Sequence, residues 1–313
     1  MVKLNIDLPE SFFQEEERDG YLVSAKIKEL WAVQLDLLNE FDRVCKKYNL
    51  KYILDFGTLL GAVRHKGFIP WDDDVDVSML REDYEKLMEI GPKEFKDPYF
   101  LQNPYTDKGY DDCVTKLRRT DTCFLLSNSK RANIRYCQGI FIDIFVFDNI
   151  PAIDKETEQE LTAVSQRVYY EMSISSHPPV LKGPVSLSVR RLLRYLYSRI
   201  RFGSYLSIYS QFENKAKNRP YTGFVGTTTF MVTNCRSISD YGDIVYLPFE
   251  NQILPVPAGY DKLLKVRYGD YMTPIIGSSG HECVYCDVNR SYKEVLKDKK
   301  LMKELGIPSI DVY

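Results

Sequence analysis

The sequence predicts an α+β fold, a mixed β-sheet core flanked by helices with an additional helical portion. Three observations carry this. First, apolar residues recur three or four apart over 24–48 (Ile27, Leu30, Trp31, Leu35, Leu38, Phe41, Cys45, Tyr48), the period of an amphipathic helix. Second, short β-rich runs follow: KYILDF (51–56), DVDVSML (74–80), VTKLRR (114–119), TCFLLS (122–127) and GIFIDIFVFDNIP (139–151). Third, helical patterns dominate residues 155–220 before extended segments return.

Taken in order, Gly57-Thr58 is expected to break the first strand, and LLGAVR (59–64) to start a helix. GFIP (67–70) is a loop, because Gly67 and Pro70 both punctuate it. DVDVSML alternates, so Asp74, Asp76 and Ser78 share one strand face and Val75, Val77 and Met79 the other. REDYEKLMEIG (81–91) reads as a surface helix ending at Gly91. Helices are expected over 157–174 and, after Gly183-Pro184, over 186–201. GFVGTTTFMV (223–232) and ENQILPVP (250–257) read as extended, and GYDKLLKVRYGDYM (259–272) as helical. The resulting division is an N-terminal segment and packing helix (1–50), a catalytic core (51–154), a helical insertion (155–220) and a C-terminal part completing the core and acceptor side (221–313).

The 313 residues, 44% of them hydrophobic, are ample for a sizeable core. A formal net charge of −2 argues against a nucleic-acid partner. No apolar run approaches a membrane span, and the N-terminal residues lack the apolar block of a signal peptide, so a cytoplasmic protein is expected. Seven scattered cysteines do not suggest a disulfide framework. His281, Cys283 and Cys286 could ligate zinc, but a structural site usually needs four ligands.

The chemistry concentrates at WDDDVD (71–76), where Asp72, Asp73, Asp74 and Asp76 occupy five positions beside an apolar run. Like charges this close need a cation or full exposure to water. Asp-rich turns are common at surfaces, and Asp72 and Asp73 fit that reading equally well. A strand follows at once, however, and fixes Asp74 and Asp76 on one face about 7 Å apart. Asp143 lies inside another apolar strand, where a lone charge is costly without a partner. Gly57 and Thr58 offer backbone N–H groups and a hydroxyl at a helix start, a natural phosphate cradle. Oxygen ligands favour Mg²⁺ or Mn²⁺, so Asp74, Asp76 and Asp143 are the expected metal ligands and catalytic residues of a phosphoryl-transfer site. Asp143 would also orient or deprotonate an attacking hydroxyl.

This arrangement resembles the nucleotidyltransferase fold, a Gly-Gly/Ser turn, an acidic-x-acidic strand and a distant third acid. More closely, DFGTLLGAVRHKGFIPWDDDVDVSM (55–79) resembles the signature of the LicD family of phosphocholine transferases, of which fukutin-related proteins are more distant relatives. GIFIDIFVFD, LPFENQILPVPAGYDKLLKVRYGDYMTP and His281 match too, so the resemblance spans roughly residues 45–285. It implies transfer of phosphocholine from CDP-choline to a sugar hydroxyl of a glycan precursor of teichoic-acid or lipopolysaccharide type, free or lipid-linked, with release of CMP. Gly57 and Thr58 match the family's phosphate-side turn, Asp74 and Asp76 its metal-binding pair and Asp143 its third acid. Alternatives are transfer of another CDP-linked alcohol phosphate (ethanolamine or a polyol), nucleotidyl transfer with pyrophosphate release, or a nucleotide- or glycan-binding module without turnover.

Further substrate-binding candidates surround the acids. Arg64 and Lys66 suit pyrophosphate oxygens, and Lys116 is a third cation, on a predicted strand. Asp72 can order the loop or bind a metal-bound water, and Trp71 offers an aromatic face to a quaternary ammonium, as do Tyr268 and Tyr271. His281 matches a family position. Finally, residues 182–201 carry Lys182, Arg190, Arg191, Arg194, Arg199 and Arg201, and no acid occurs between Glu171 and Glu213. An apolar stripe of Val189, Leu192, Leu193, Leu196 and Ile200 runs through them. Such a helix either packs its stripe on the core or lies on an anionic membrane, here the inner face of the cell membrane, through residues 186–201.

Overall fold

The computed structural model describes residues 1–127, 136–176, 185–227, 235–277, 281 and 283–307. A 3₁₀ turn (Glu10–Phe13) and a small hairpin, β1 (Glu16–Arg18) with β2 (Tyr21–Val23), lead into the long helix α1 (Ala25–Tyr48). The Ser24 hydroxyl caps α1 by accepting from the Ile27 N–H, and Asn49, in the left-handed region, ends it. Next come β3 (Ile53–Leu54), α2 (Phe56–Arg64), β4 (Asp76–Leu80), α3 (Arg81–Glu94), β5 (Tyr99–Gln102), β6 (Thr115–Arg119), β7 (Cys123–Leu126) and β8 (Phe141–Asn149). Three helices follow: α4 (Lys155–Ser176), α5 (Val185–Phe202) and α6 (Tyr205–Lys217). The chain continues through β9 (Phe224–Thr227), β10 (Arg236–Ser237), α7 (Ile238–Gly242), β11 (Ile244–Phe249), β12 (Gln252–Pro257), α8 (Tyr260–Tyr268), β13 (Cys283–Asp287), α9 (Tyr292–Lys297) and α10 (Lys299–Leu305).

Seven strands form the central mixed sheet, with β8 as its spine. β4 runs parallel to β8 along one edge, with Asp76 opposite Asp143. On the other edge β6 and then β9 pair antiparallel with successive halves of β8. Side chains alternate across the sheet. Val77, Met79, Leu117, Ile142, Ile144 and Val146 point to one face and join the main core, against which α1 and α3 pack. The intervening residues Asp76, Ser78, Lys116, Asp143 and Phe145 therefore project from the opposite face, and this face carries the site.

The structure shortens and shifts several expected elements. Strand 51–56 contracts to Ile53–Leu54 because Asp55 caps α2, its carboxylate accepting from the Phe56 N–H at 2.9 Å. Gly57 and Thr58 thus lie in the first turn of α2 rather than in a break before it. Asp74 precedes β4 rather than lying within it. α3 runs past Gly91 to Glu94, since Gly91 serves close contact with Leu101 rather than termination. Helix α6 and strand β11 are additional elements. The extended run expected at 223–232 is described to Thr227; the remainder, and Lys182, lie outside the described residues.

A buried ion pair locks α1 to β6. Arg119 pairs with Asp36, whose carboxylate also accepts from the Tyr99 hydroxyl at 2.8 Å. Arg119→Ala would leave Asp36 buried without its counter-ion, a loss of about 3–5 kcal/mol. Urea unfolding should show a clearly lowered midpoint at unchanged slope; an unchanged midpoint would show that the pair contributes nothing to stability.

Candidate active site

The site grows from three chain segments that meet at one end of the sheet. The first is the loop 67–75. Phe68 stacks on Trp31 of α1 with ring centroids 4.6 Å apart and planes 3° from parallel. The Trp31 indole N–H donates to the Asp72 carbonyl at 3.0 Å, and Gln34 donates to the Asp73 carbonyl at 2.7 Å. With its backbone fixed by α1, the loop can only turn its carboxylates toward the sheet. The second segment is the start of α2. Thr58 Oγ1 accepts from the Asp76 N–H at 2.8 Å, tying helix to strand. A Cβ at residue 57 would come 2.8 Å from an Asp72 carboxylate oxygen, so a larger residue there would displace that carboxylate. The amides of Gly57 and Thr58 have no hydrogen-bond partner among the described residues. Phe56 begins the helix at a φ of +50°, a conformation that costs on the order of 1–2 kcal/mol. Its ring is held between Phe145 (4.7 Å) and the Arg267 guanidinium (4.8 Å).

The third segment is the β6–β8 pair. Asp143 lies opposite Asp76 on β4 and opposite Lys116 on β6. Lys116 Nζ forms a buried ion pair with Asp143 Oδ1 and sits 4.0 Å from the Phe141 ring centroid. Asp143 Oδ2 has no hydrogen bond among the described residues. The His281 ring, 5.4 Å from Phe141, brings Nδ1 to 3.3 Å from Asp74 and 3.4 Å from Asp73.

The electrostatics follow from burial. Burial pushes the Asp72 carboxyl up to about 6, and the charge of Asp73 adds to the rise. Burial holds Asp74 well above the usual carboxylate range, reinforced by Asp72 and opposed by His281. Asp76 is raised likewise, first by burial and then by the charges of Asp74, Asp143, Asp72 and Asp55. Burial alone would lower the His281 imidazole; its hydrogen bond to Asp73 and the charges of Asp74 and Asp143 outweigh this and raise it. These carboxylates are thus held in a place where their anionic forms are poorly tolerated.

This chemistry fits a divalent cation. Asp76 and Asp143 face each other across paired strands, but the expected trio of Asp74, Asp76 and Asp143 is not the group whose ligand atoms come closest together among the described residues. Asp73, Asp74 and His281 offer ligand atoms that all lie within 4.8 Å of one another. His281 thus turns toward the carboxylates, while Cys283 and Cys286 lie on β13, paired with β7.

Of the residues expected from sequence, Asp72, Asp74, Asp76, Asp143, Lys116, Gly57, Thr58 and His281 are brought together. The Thr58 hydroxyl is buried and engaged with the backbone. Arg64 donates to the Tyr271 carbonyl at 2.8 Å. Lys66 is exposed, on a turn whose carbonyl accepts from the Glu250 N–H. Trp71 packs edge-on to Tyr21 at 5.8 Å. Among the described residues no hydrogen bond or ion pair joins these three side chains to the carboxylates. Sequence reasoning missed Asp73 as a site residue, although it lay within the acidic run. It also missed Asp55, which accepts from Ser78 at 2.6 Å and from Arg236 at 3.0 Å. Arg236 stands 181 positions from Asp55 and carries no local motif.

Asp72 allows a test with a defined sign. In the folded chain it keeps its proton up to about 6, against an ordinary value of 3.8. It therefore favours folding fully below pH 4 and loses that contribution as pH rises through 6. With divalent ions chelated, Asp72→Asn should unfold at a higher temperature than the parent at pH 7, and the gap should close below pH 4. Equal melting temperatures at pH 7 would mean that the carboxylate is not burdened by its surroundings.

A family model described as the LicD/FKTN/FKRP nucleotidyltransferase domain matches residues 49–183. The chain is 29% identical over 265 residues to the lipopolysaccharide cholinephosphotransferase LicD of Haemophilus influenzae, covering 79% of this chain and 91% of that protein. An uncharacterized protein of Rickettsia prowazekii is 38% identical over 32% of this chain and 35% of its own length. One from Rickettsia typhi is 40% identical over 24% of this chain and 25% of its own length. The matched domain spans α2, the acidic loop, β4 and β8, and so contains every site segment except His281. Residues 49–183 thus match a LicD-type domain, and the likeness to the Haemophilus protein extends over most of the chain.

Proposed function

We propose that this protein is a metal-dependent phosphotransferase that moves phosphocholine from CDP-choline to a hydroxyl of a cell-surface glycan precursor and releases CMP. The observation that supports the reading is the register that sets Asp76 opposite Asp143 and the ion-paired Lys116, with Asp74 two residues upstream beside His281. The similarity to a lipopolysaccharide cholinephosphotransferase supports the choice of transferred group and a lipopolysaccharide-type acceptor; a teichoic-acid precursor offers the same hydroxyl chemistry.

In this reading Asp74 and Asp76, with Asp143 at their side, hold Mg²⁺ or Mn²⁺. When bound, the ion neutralises the donor's pyrophosphate and the charge that develops on the leaving oxygen. The free amides of Gly57 and Thr58 at the start of α2 take a phosphate oxygen. Lys116 orients Asp143 through Oδ1, leaving Oδ2 to receive the proton of the acceptor hydroxyl. The acceptor oxygen bonds to the phosphorus that carries choline, and the bond from that phosphorus to the CMP oxygen breaks. His281 steadies Asp73 and Asp74 by hydrogen bonding and charge. Arg64, Lys66 and Trp71 line the approach rather than the reacting centre. The enzyme works in the cytoplasm and meets a lipid-linked acceptor at the inner face of the cell membrane.

A donor panel tests this. CDP-choline, CDP-ethanolamine and a CDP-polyol are each incubated with Mg²⁺ or Mn²⁺ and candidate glycans, and both CMP and product mass are measured. CDP-choline should give CMP and an acceptor heavier by one phosphocholine. Asp74→Asn and Asp76→Asn should each lower turnover by about 100-fold or more with little change in melting temperature. Preference for another CDP-alcohol would reassign the transferred group, pyrophosphate release would replace the reaction by nucleotidyl transfer, and binding without turnover would make the protein a binding module.

A further inference from the structure

Helix α5 is packed the wrong way round for a helix that serves a protein core. It packs on α4, and its least exposed residues, Ser188, Tyr195, Ser198 and Phe202, are spaced three, four or seven apart and so share one face. Ser198 is fully buried there, its hydroxyl donating to Glu171 at 2.9 Å. The apolar stripe of Val189, Leu192, Leu193, Leu196 and Ile200 lies more than a quarter-turn round the helix from that face and points outward. Leu193 is 60% exposed and Ile200 85%, and Val185 extends the stripe at 79%. An amphipathic helix normally turns such a stripe inward.

We propose that this face docks on a lipid bilayer rich in anionic headgroups, with α5 lying in the plane of the interface. At about 1.5 Å per residue its 18 residues are roughly 27 Å long. Among the described residues no helix is long and apolar enough to cross a membrane, so α5 rests on the surface. Charge selects the partner. Arg190 and Arg201 flank one side of the stripe and Arg199 the other, while Arg194 lies over the Tyr170 ring of α4 at 4.8 Å, and α5 contains no acidic residue. Stacking the same face on a second copy of the chain would set arginine against arginine with nothing to offset the repulsion. Anionic headgroups satisfy both flanks while the acyl boundary takes the leucine side chains. The surface is separate from the carboxylate site, and the proposal does not rest on which group that site transfers.

Flotation of the full chain with vesicles tests it, using phosphatidylcholine alone or mixed equally with phosphatidylglycerol. The protein should float with the mixed vesicles and bind pure phosphatidylcholine at least about 10-fold more weakly. The double variant L193S/I200S should lose about 10-fold or more in affinity for the mixed vesicles. Arg190→Gln, Arg199→Gln and Arg201→Gln together should cost about 100-fold. Because all five side chains are exposed, melting temperature and turnover with a water-soluble acceptor should not change. No flotation of the parent chain, or flotation indifferent to Leu193 and Ile200, would overturn the proposal. So would a dimer, seen by sedimentation, that the same double variant dissolves.

Discussion

Everything distinctive in this molecule follows from crowding carboxylates into a place that water hardly reaches. Asp72, Asp74 and Asp76 are all pushed upward in proton affinity, each first by burial and then by its neighbours. Left alone, such a cluster would take up protons or open to solvent. Within the chain, two cations moderate it from its rim. Lys116 neutralises Asp143, and His281 is raised toward its charged form beside Asp73 and Asp74. Neither pairs with Asp76, which faces Asp143 across the strands. A divalent ion is the simplest partner for what remains, and it is the partner that phosphoryl transfer requires.

Holding the acids in that position takes much of the scaffold. Long helix α1 reaches under the site, and its Trp31 and Gln34 grip the carbonyls of Asp72 and Asp73. Thr58 fastens α2 to β4, and Asp55 joins α2 to Ser78 on β4 and to Arg236 on β10. The parallel pairing of β4 with β8 sets Asp76 against Asp143 through backbone register alone. Since register is a property of the whole sheet, the spacing of Asp76 and Asp143 is insulated from loop motion. The helical segment α4–α6 attaches elsewhere, through Asp148 of β8, Arg81 of α3 and Glu213 of α6. The molecule thus separates a rigid chemical centre from an arm whose outer face suits a surface.

Much of this was legible in the sequence where the signal was periodic or compositional. The three-to-four spacing of α1, the alternation of β4 and the placing of Asp143 inside the apolar run of β8 pointed to the core and the acids. Local reading failed where a tertiary contact decides the outcome. The strand at 51–56 stops early because Asp55 turns to cap α2 and to receive Arg236. Gly91 marks a close contact and not a helix end. Lys116 lies far from the acidic run in sequence, yet strand pairing sets it against Asp143, whereas Arg64, adjacent to the motif, turns to a backbone carbonyl. The outward stripe of α5 was equally hidden, because periodicity gives the width of an apolar face but not the direction in which the fold points it.

The most direct test of the central claim is anomalous diffraction from crystals of the protein grown with Mn²⁺, which locates the ion independently of any assay. The account predicts one strong peak in contact with the carboxylates of Asp74 and Asp76, with Asp143 or His281 at its edge. Crystals saturated with Mn²⁺ that show no peak among these side chains, or only peaks on the outer surface, would contradict it.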